Sequence, residues 1–218
     1  MPRLALFDLD RTVLSVNSAN GWIRRELRLG FLSRSQALRG IWEIGKYRLG
    51  HARLEDTIAE AVRTLSGSEE EVLRQRTLDF WREEVRETIR PGARQAVERH
   101  RAAGDRVVLL TSSSNYMCEA ISADLPFDDF GCNRFEVQGG RFTGRVLPPM
   151  CFGPGKIAHA ERLAQEAGLD LAEAAFYTDS YSDLPALLAV GEPVVVHPDP
   201  RLLREAKKRG WAVQDWGG

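Results

Sequence analysis

The stretch LALFDLDRT, Leu4 to Thr12, decides the architecture. The apolar run of Leu4, Ala5, Leu6 and Phe7 has the composition of a strand buried on both faces, and it delivers Asp8 and Asp10 into the open, followed by Thr12. Side chains alternate along a strand, so Asp8 and Asp10 are expected to point the same way across Leu9. Ligands gather beyond the carboxyl ends of strands in open α/β sheets, which puts this acidic pair at the natural site. Like charges this close are unfavourable unless a cation or a shared proton relieves them, so the pair implies a metal, a raised pKa, or both. A magnesium-type divalent ion, with its preference for oxygen ligands, suits it.

Beyond Thr12 the spacing turns helical, in Leu38, Ile41 and Trp42 and again in Leu54, Ile58, Val62 and Leu65. Ser33 and Ser66 are placed to start helices, and Gly45 and Gly50 to interrupt or end them. This helical insertion runs to about Val85. Pro91-Gly92 then opens a helix through Ala103, Gly104 ends it, and Val107 to Leu110 form a buried strand. A helix near Tyr116 to Ala123 follows, then a hairpin of Phe135 to Val137 and Arg141 to Val146 about the Gln138-Gly139-Gly140 turn. The alternation closes with a helix from Lys156 to Ala167, a strand at Ala174 to Tyr177, a helix at Leu184 to Ala189 and a strand at Val194 to Val196. Gly217-Gly218 reads as a loose tail.

At 218 residues the chain can bury one core and carry a smaller module. A composition of 43% hydrophobic and 28% charged residues with net charge -1 is that of a soluble globular protein, with no basic excess to attract nucleic acid. No apolar run has the length to cross a bilayer, so no membrane partner is expected. Met1 leads directly into the first strand without an export signal, which predicts a cytoplasmic protein. Cys118, Cys132 and Cys151 are odd in number and widely spaced, fitting reduced packed thiols better than disulfides or a zinc site.

Polar residues stand at or just after the strand ends: Asp8 and Asp10, Thr111 and Ser112, Lys156, and Asp179 with Asp183. In a parallel sheet such ends converge on one crevice. A nucleophile, a second carboxylate, hydroxyls with loop amides, one lysine and a further acidic pair match a phosphoryl group with a cation beside it. An acyl-transfer site lacks its partners here. FDLDRT at Phe7 to Thr12, LLTSS at Leu109 to Ser113, GPGK at Gly153 to Lys156 and YTDSYSDLP at Tyr177 to Pro185 resemble, in order, the motifs of the haloacid dehalogenase superfamily. With its helical insertion after the first motif, the chain is similar to subfamily IB, the phosphoserine-phosphatase-like hydrolases.

That resemblance implies a Rossmann-like α/β core with a parallel sheet, residues 1–14 and 87–218, and a mobile α-helical cap domain, residues 15–86, that closes over the substrate. It implies a magnesium-dependent phosphomonoesterase acting on a small phosphorylated metabolite. Asp8 would be the nucleophile that forms an aspartyl-phosphate, and Asp10 the acid for the leaving alcohol and then the base for water. Thr111 and Ser112 would bind phosphate oxygens, and Lys156 would balance charge. Asp8, Asp179 and the Asp10 carbonyl would hold Mg2+, supported by Asp183 and Thr12. The acid at position 10 separates the chain from superfamily ATPases and phosphonatases, which carry threonine and alanine there. Phosphomutase and non-catalytic phosphate sensor are the alternatives, and either a monomer or a homodimer fits. Asn17 stands at the substrate-facing position where phosphoserine enzymes place a glutamate, so histidinol phosphate or another small monoester remains open. Tyr181 is expected to narrow the pocket, His159 to approach it, and Arg24, Arg25, Arg28, Arg34, Arg39 and Arg48 to form a solvated face.

Overall fold

β1 (Leu4–Phe7) lies at the centre of the sheet because every one of its side chains is buried, as the unbroken apolar run requires. The computed structural model describes residues 2–32 and 54–218; Ser33, Arg34, Leu38, Arg39, Ile41, Trp42, Gly45, Arg48, Gly50 and His51 lie outside the described residues. After β1 come α1 (Ser18–Arg28), α2 (Leu54–Arg63) and α3 (Glu70–Phe80). The alternation then resumes with α4 (Pro91–Ala102), β2 (Arg106–Ser114), α5 (Asn115–Ile121), β3 (Asp129–Gln138) and β4 (Arg141–Leu147). It ends with α6 (Pro154–Ala167), β5 (Ala175–Thr178), α7 (Leu184–Ala189), β6 (Glu192–Val196), α8 (Pro200–Arg209) and β7 (Ala212–Gln214).

The strands form one seven-stranded sheet in the order β4-β3-β2-β1-β5-β6-β7. All neighbours are parallel except β3 and β4, which make the hairpin about Gly139 and Gly140 at φ 57° and 75°. Alternation divides the core. Ala5, Phe7, Val107, Leu109 and Tyr177 face α4 and α5 on one side, while Leu4, Leu6, Val108, Leu110 and Phe176 face α6, α7 and α8 on the other. The direction in which successive strands are added reverses about β1, with β2 on one flank and β5 on the other, so a crevice opens at their carboxyl ends.

The helical insertion leaves and rejoins the sheet through a short ribbon. Leu14 bridges Ile89 in antiparallel fashion, Ser15 N donates to the Thr88 carbonyl at 2.8 Å, and Arg90 N donates to that of Val13 at 2.9 Å. Phe80, Trp81 and Val85 pack into the sheet's core cluster, which ties the end of the insertion to the α4 face.

Several expectations change. β3 is one continuous strand whose first half pairs in parallel with β2, and α8 and β7 extend the alternation past Val196. Ser66 does not begin a helix: α3 starts at Glu70, and the Ser66 hydroxyl instead donates to the Thr143 carbonyl at 3.4 Å. The C-terminal residues are not loose. Trp216 packs 5.3 Å from the Tyr177 ring, and the Arg90 guanidinium donates to the carbonyls of Gly217 and Gly218.

Candidate active site

β1 stops at Phe7, and a tight turn, not the strand's pleat, sets the two carboxylates. Asp8 stays extended and donates its N–H to the Tyr177 carbonyl at 2.9 Å, fixing it beside the end of β5. Asp10 lies in the turn, and Arg11 takes the left-handed conformation at φ 64°, a costly choice for a side chain with a Cβ. The Leu14 N–H closes the turn on the Leu9 carbonyl at 2.9 Å. Both carboxylates line one crevice of about 300 Å3.

Three other strand ends complete it. Ser112 and Ser113 stand at the end of β2, Asp179 and Ser180 follow β5, and Lys156 enters from the first turn of α6. Lys156 is placed by its glycines. A Cβ on Gly155 would sit 1.9 Å from the Met150 carbonyl oxygen, so only glycine lets the backbone pass there. The lysine is 3% exposed, and its Nζ donates to Asp8 Oδ1 and to Asp183 Oδ2, both at 2.7 Å. Asp183 also accepts from Thr178 Oγ1 at 2.7 Å, so the lysine is fixed between two anchored carboxylates.

Charge is in excess on the acidic side. Burial pushes Asp8 up to about 7, against the pull of Lys156, with Asp183 and Asp10 adding to the rise. Asp179 is pushed up to about 8 by burial and then by the Asp8 and Asp183 charges. Burial also raises Asp10, which hydrogen bonds from Ser18, its N–H at 2.8 Å, and then the Arg11 and Lys156 charges partly offset. Lys156 rises in spite of its burial because Asp183 and Asp8 hold its proton.

Among the described residues no three His, Cys, Asp or Glu side chains converge as ready metal ligands. Asp8 and Asp179 do converge on one hydroxyl, Thr12 Oγ1, which lies 3.3 Å from Asp8 Oδ2 and 3.5 Å from Asp179 Oδ1. Two buried carboxylates, both pushed up by burial, are a fitting pair of oxygen donors for a hard divalent cation.

The expected site residues Asp8, Asp10, Lys156, Asp179, Asp183, Ser112 and Asn17 all line the crevice, with Thr12 behind the first carboxylates. Thr111 does not. It is 2% exposed inside β2 and accepts the Ser113 N–H at 3.1 Å, so the residues of this strand on the wall are Ser112 and Ser113. Asn17 caps α1 by accepting the Asn20 N–H at 3.0 Å. Tyr181 does not narrow the crevice, since its ring lies under Arg201, 4.2 Å from the guanidinium carbon. His159 is held by the Pro149 carbonyl at 2.8 Å, outside the wall. Cys151 is packed, its thiol donating to the Gly131 carbonyl at 3.2 Å. Arg25 is buried between Glu83 and Glu84 instead of solvated.

Arg11, Asn20, Ile58 and Phe152 also line the crevice. Arg11 lies inside the first motif and was open to a sequence reading; Ile58 carries no chemical signal and reaches the wall only through the placement of α2. A buried amide supports the wall from behind: Asn133 Nδ2 donates to the Ser112 carbonyl at 2.6 Å and its Oδ1 accepts the Cys151 N–H at 2.9 Å, tying β2 to the loop before α6.

Residues 5–188 match the family profile of haloacid dehalogenase-like hydrolases. The chain is 28% identical to a histidinol-phosphatase of Neisseria meningitidis, covering 98% of both proteins. It is 30% identical to a phosphoserine phosphatase of Mycobacterium tuberculosis over 97% of this chain and 70% of that one. A crystal structure of a Bordetella pertussis protein with unknown function superimposes with a TM-score of 0.92 at 30% identity, covering 100% of both chains.

Proposed function

This chain belongs to the haloacid dehalogenase-like hydrolase family, and from that premise we propose that it is a magnesium-dependent phosphomonoesterase working through an aspartyl-phosphate. The observation that carries this reading is the Lys156 ammonium held at 2.7 Å from both Asp8 and Asp183, at the point where the carboxyl ends of β1 and β5 meet. A buried lysine so fixed keeps Asp8 aimed and offsets the charge of an arriving phosphate.

In the first step an Asp8 oxygen attacks phosphorus, and the ester oxygen departs with the proton of Asp10. The products are the alcohol and a phosphoryl group on Asp8. In the second step Asp10, now a carboxylate, takes a proton from water as that oxygen attacks phosphorus, releasing phosphate and restoring Asp8. Asp10 needs to be protonated at the outset, and its raised pKa favours that state. The Ser18 N–H and Asn17 amide keep its carboxyl facing the leaving group, while the Ser112 and Ser113 hydroxyls reach phosphate oxygens. Mg2+, held by Asp8, Asp179 and the Asp10 carbonyl, would supply charge neutralisation between carboxylate and phosphate. The helices between β1 and α4 act as the cap that keeps bulk water out.

Phosphate release from a panel of metabolite monoesters and one aryl phosphate, with and without magnesium, tests the reading. Turnover should require magnesium and fall by at least about a thousandfold in Asp8→Asn, the order of loss expected when a nucleophile is removed. An Asp8→Asn protein that retains turnover would remove the aspartyl-phosphate.

A further inference from the structure

Beside the crevice is a second cavity of about 360 Å3 that the proposed chemistry leaves unused. Arg11, Asn17 and Asn20 belong to the walls of both. This shared wall is on the leaving-group side, because the Asn17 amide lies 3.3 Å from Asp10 Oδ2, and Asp10 hands its proton to the departing alcohol. An ester with its phosphate against Asp8 and its alcohol past Asp10 and Asn17 would face the second space.

The second cavity is electropositive. Arg24 of α1 lines it with Arg11, and among the described residues neither guanidinium has an ion-pair or hydrogen-bond partner. Arg11 shares its field with Asp10 and Asp179; Arg24 is committed to neither. Neighbouring arginines are engaged: Arg25 with Glu83 and Glu84, Arg28 with Glu84, and Arg76 with Glu26. Glu84 is the carboxylate in this wall, and two guanidiniums at 2.7 and 2.6 Å already compensate it. Gly21, Phe80 and Val85 supply an apolar floor for a short carbon arm.

We propose that this cavity is a subsite for a second anionic group, so that the substrate is a small phosphomonoester whose alcohol carries a carboxylate or a second phosphate. Arg24 pairs with that group, Arg11 adds its charge from the shared wall, and Asn17 and Asn20 orient it. The assignment rests on the phosphomonoesterase reading and narrows it, since an ammonium-bearing alcohol would place a cation beside two guanidiniums that no described residue pairs.

Binding of non-hydrolysable phosphonates, measured by calorimetry at fixed magnesium, tests the subsite without turnover. Alkylphosphonates of increasing chain length are compared with methyl, ammonium, carboxylate or phosphonate at the far end. At the best length the anionic ends should bind about tenfold tighter than methyl, the gain of one charge-assisted contact. Arg24→Gln should erase that gain and Arg24→Lys keep most of it. Tighter binding by carboxylate than by phosphonate ends, or the reverse, identifies the second group. Equal affinity of methyl and anionic ends, a preference for ammonium, an anionic gain that survives in Arg24→Gln, or no binding of any phosphonate would each overturn the subsite. Failure of the reaction itself is read separately, from aryl phosphate turnover.

Discussion

Arg11 illustrates how a single residue sets the chemistry. Its left-handed backbone folds the chain so that Asp10 faces the crevice beside Asp8, and nothing in the spacing of the two acids shows that turn. The charged residues were legible because carboxylates and a lysine at strand ends have few other uses. Thr111 is the first hydroxyl after the apolar run, but β2 continues to Ser114, and Ser112 and Ser113 are its residues that line the crevice. A pH prediction follows from the acidic side. Asp8 and Asp179 stand at about 7 and about 8, against 3.8 for the free side chain, so without a cation the folded protein holds protons that the unfolded chain has released. Their contribution to stability is complete below about pH 4 and is lost as pH rises toward 8. Magnesium must displace those protons, so the rise in Tm it gives over a chelator should be larger at pH 8 than at pH 5. Taking the difference at each pH cancels His159 and His197, whose lowered values act in the opposite direction. A magnesium effect that is flat or shrinks with pH would contradict this account.

Elements were read best where a strand is buried on both faces. Val107 to Leu110 and Val194 to Val196 are uninterrupted because helices cover both sides of the sheet. The parallel half of β3 is hidden, since Asp129, Gly131 and Asn133 break the pattern there. β7 was hidden for a different reason: it is an edge strand of three residues with Ala212 and Val213 exposed, so burial left no mark on its sequence. At α6 the decisive element is its entry. Gly155→Ala would press a Cβ on the Met150 carbonyl and displace the turn that carries Lys156. It should cost about 1–3 kcal/mol in denaturant unfolding, the usual penalty of overpacking, and should lower turnover as the lysine moves. An unchanged midpoint with normal turnover would show that the loop yields freely.

Across the molecule, a buried relay joins three elements around the sheet's centre. Asp105 Oδ2 lies 2.7 Å from His100 Nδ1, and His100 Nε2 lies 2.8 Å from the Tyr177 hydroxyl. The loop before β2, α4 and β5 therefore share one chain of buried polar groups. His100→Ala removes one hydrogen bond from each of Asp105 and the Tyr177 hydroxyl, which keep Arg3 and Arg99, and opens a cavity beside Phe7, whose ring lies 5.9 Å away. It should cost roughly 3 kcal/mol, read from the urea midpoint; a midpoint within a few tenths of wild type would mean that water replaces the imidazole without loss.

The stitched ribbon of Val13–Ser15 against Thr88–Arg90 is the root on which the cap motion we propose would turn. Separate tethers would let it swing and slide independently, whereas hydrogen-bonded crossings move as one flat spring whose soft mode is torsion. For the cap we propose, access to the crevice would be geared to a rotation at this root, its tempo set by the stiffness of those few backbone bonds.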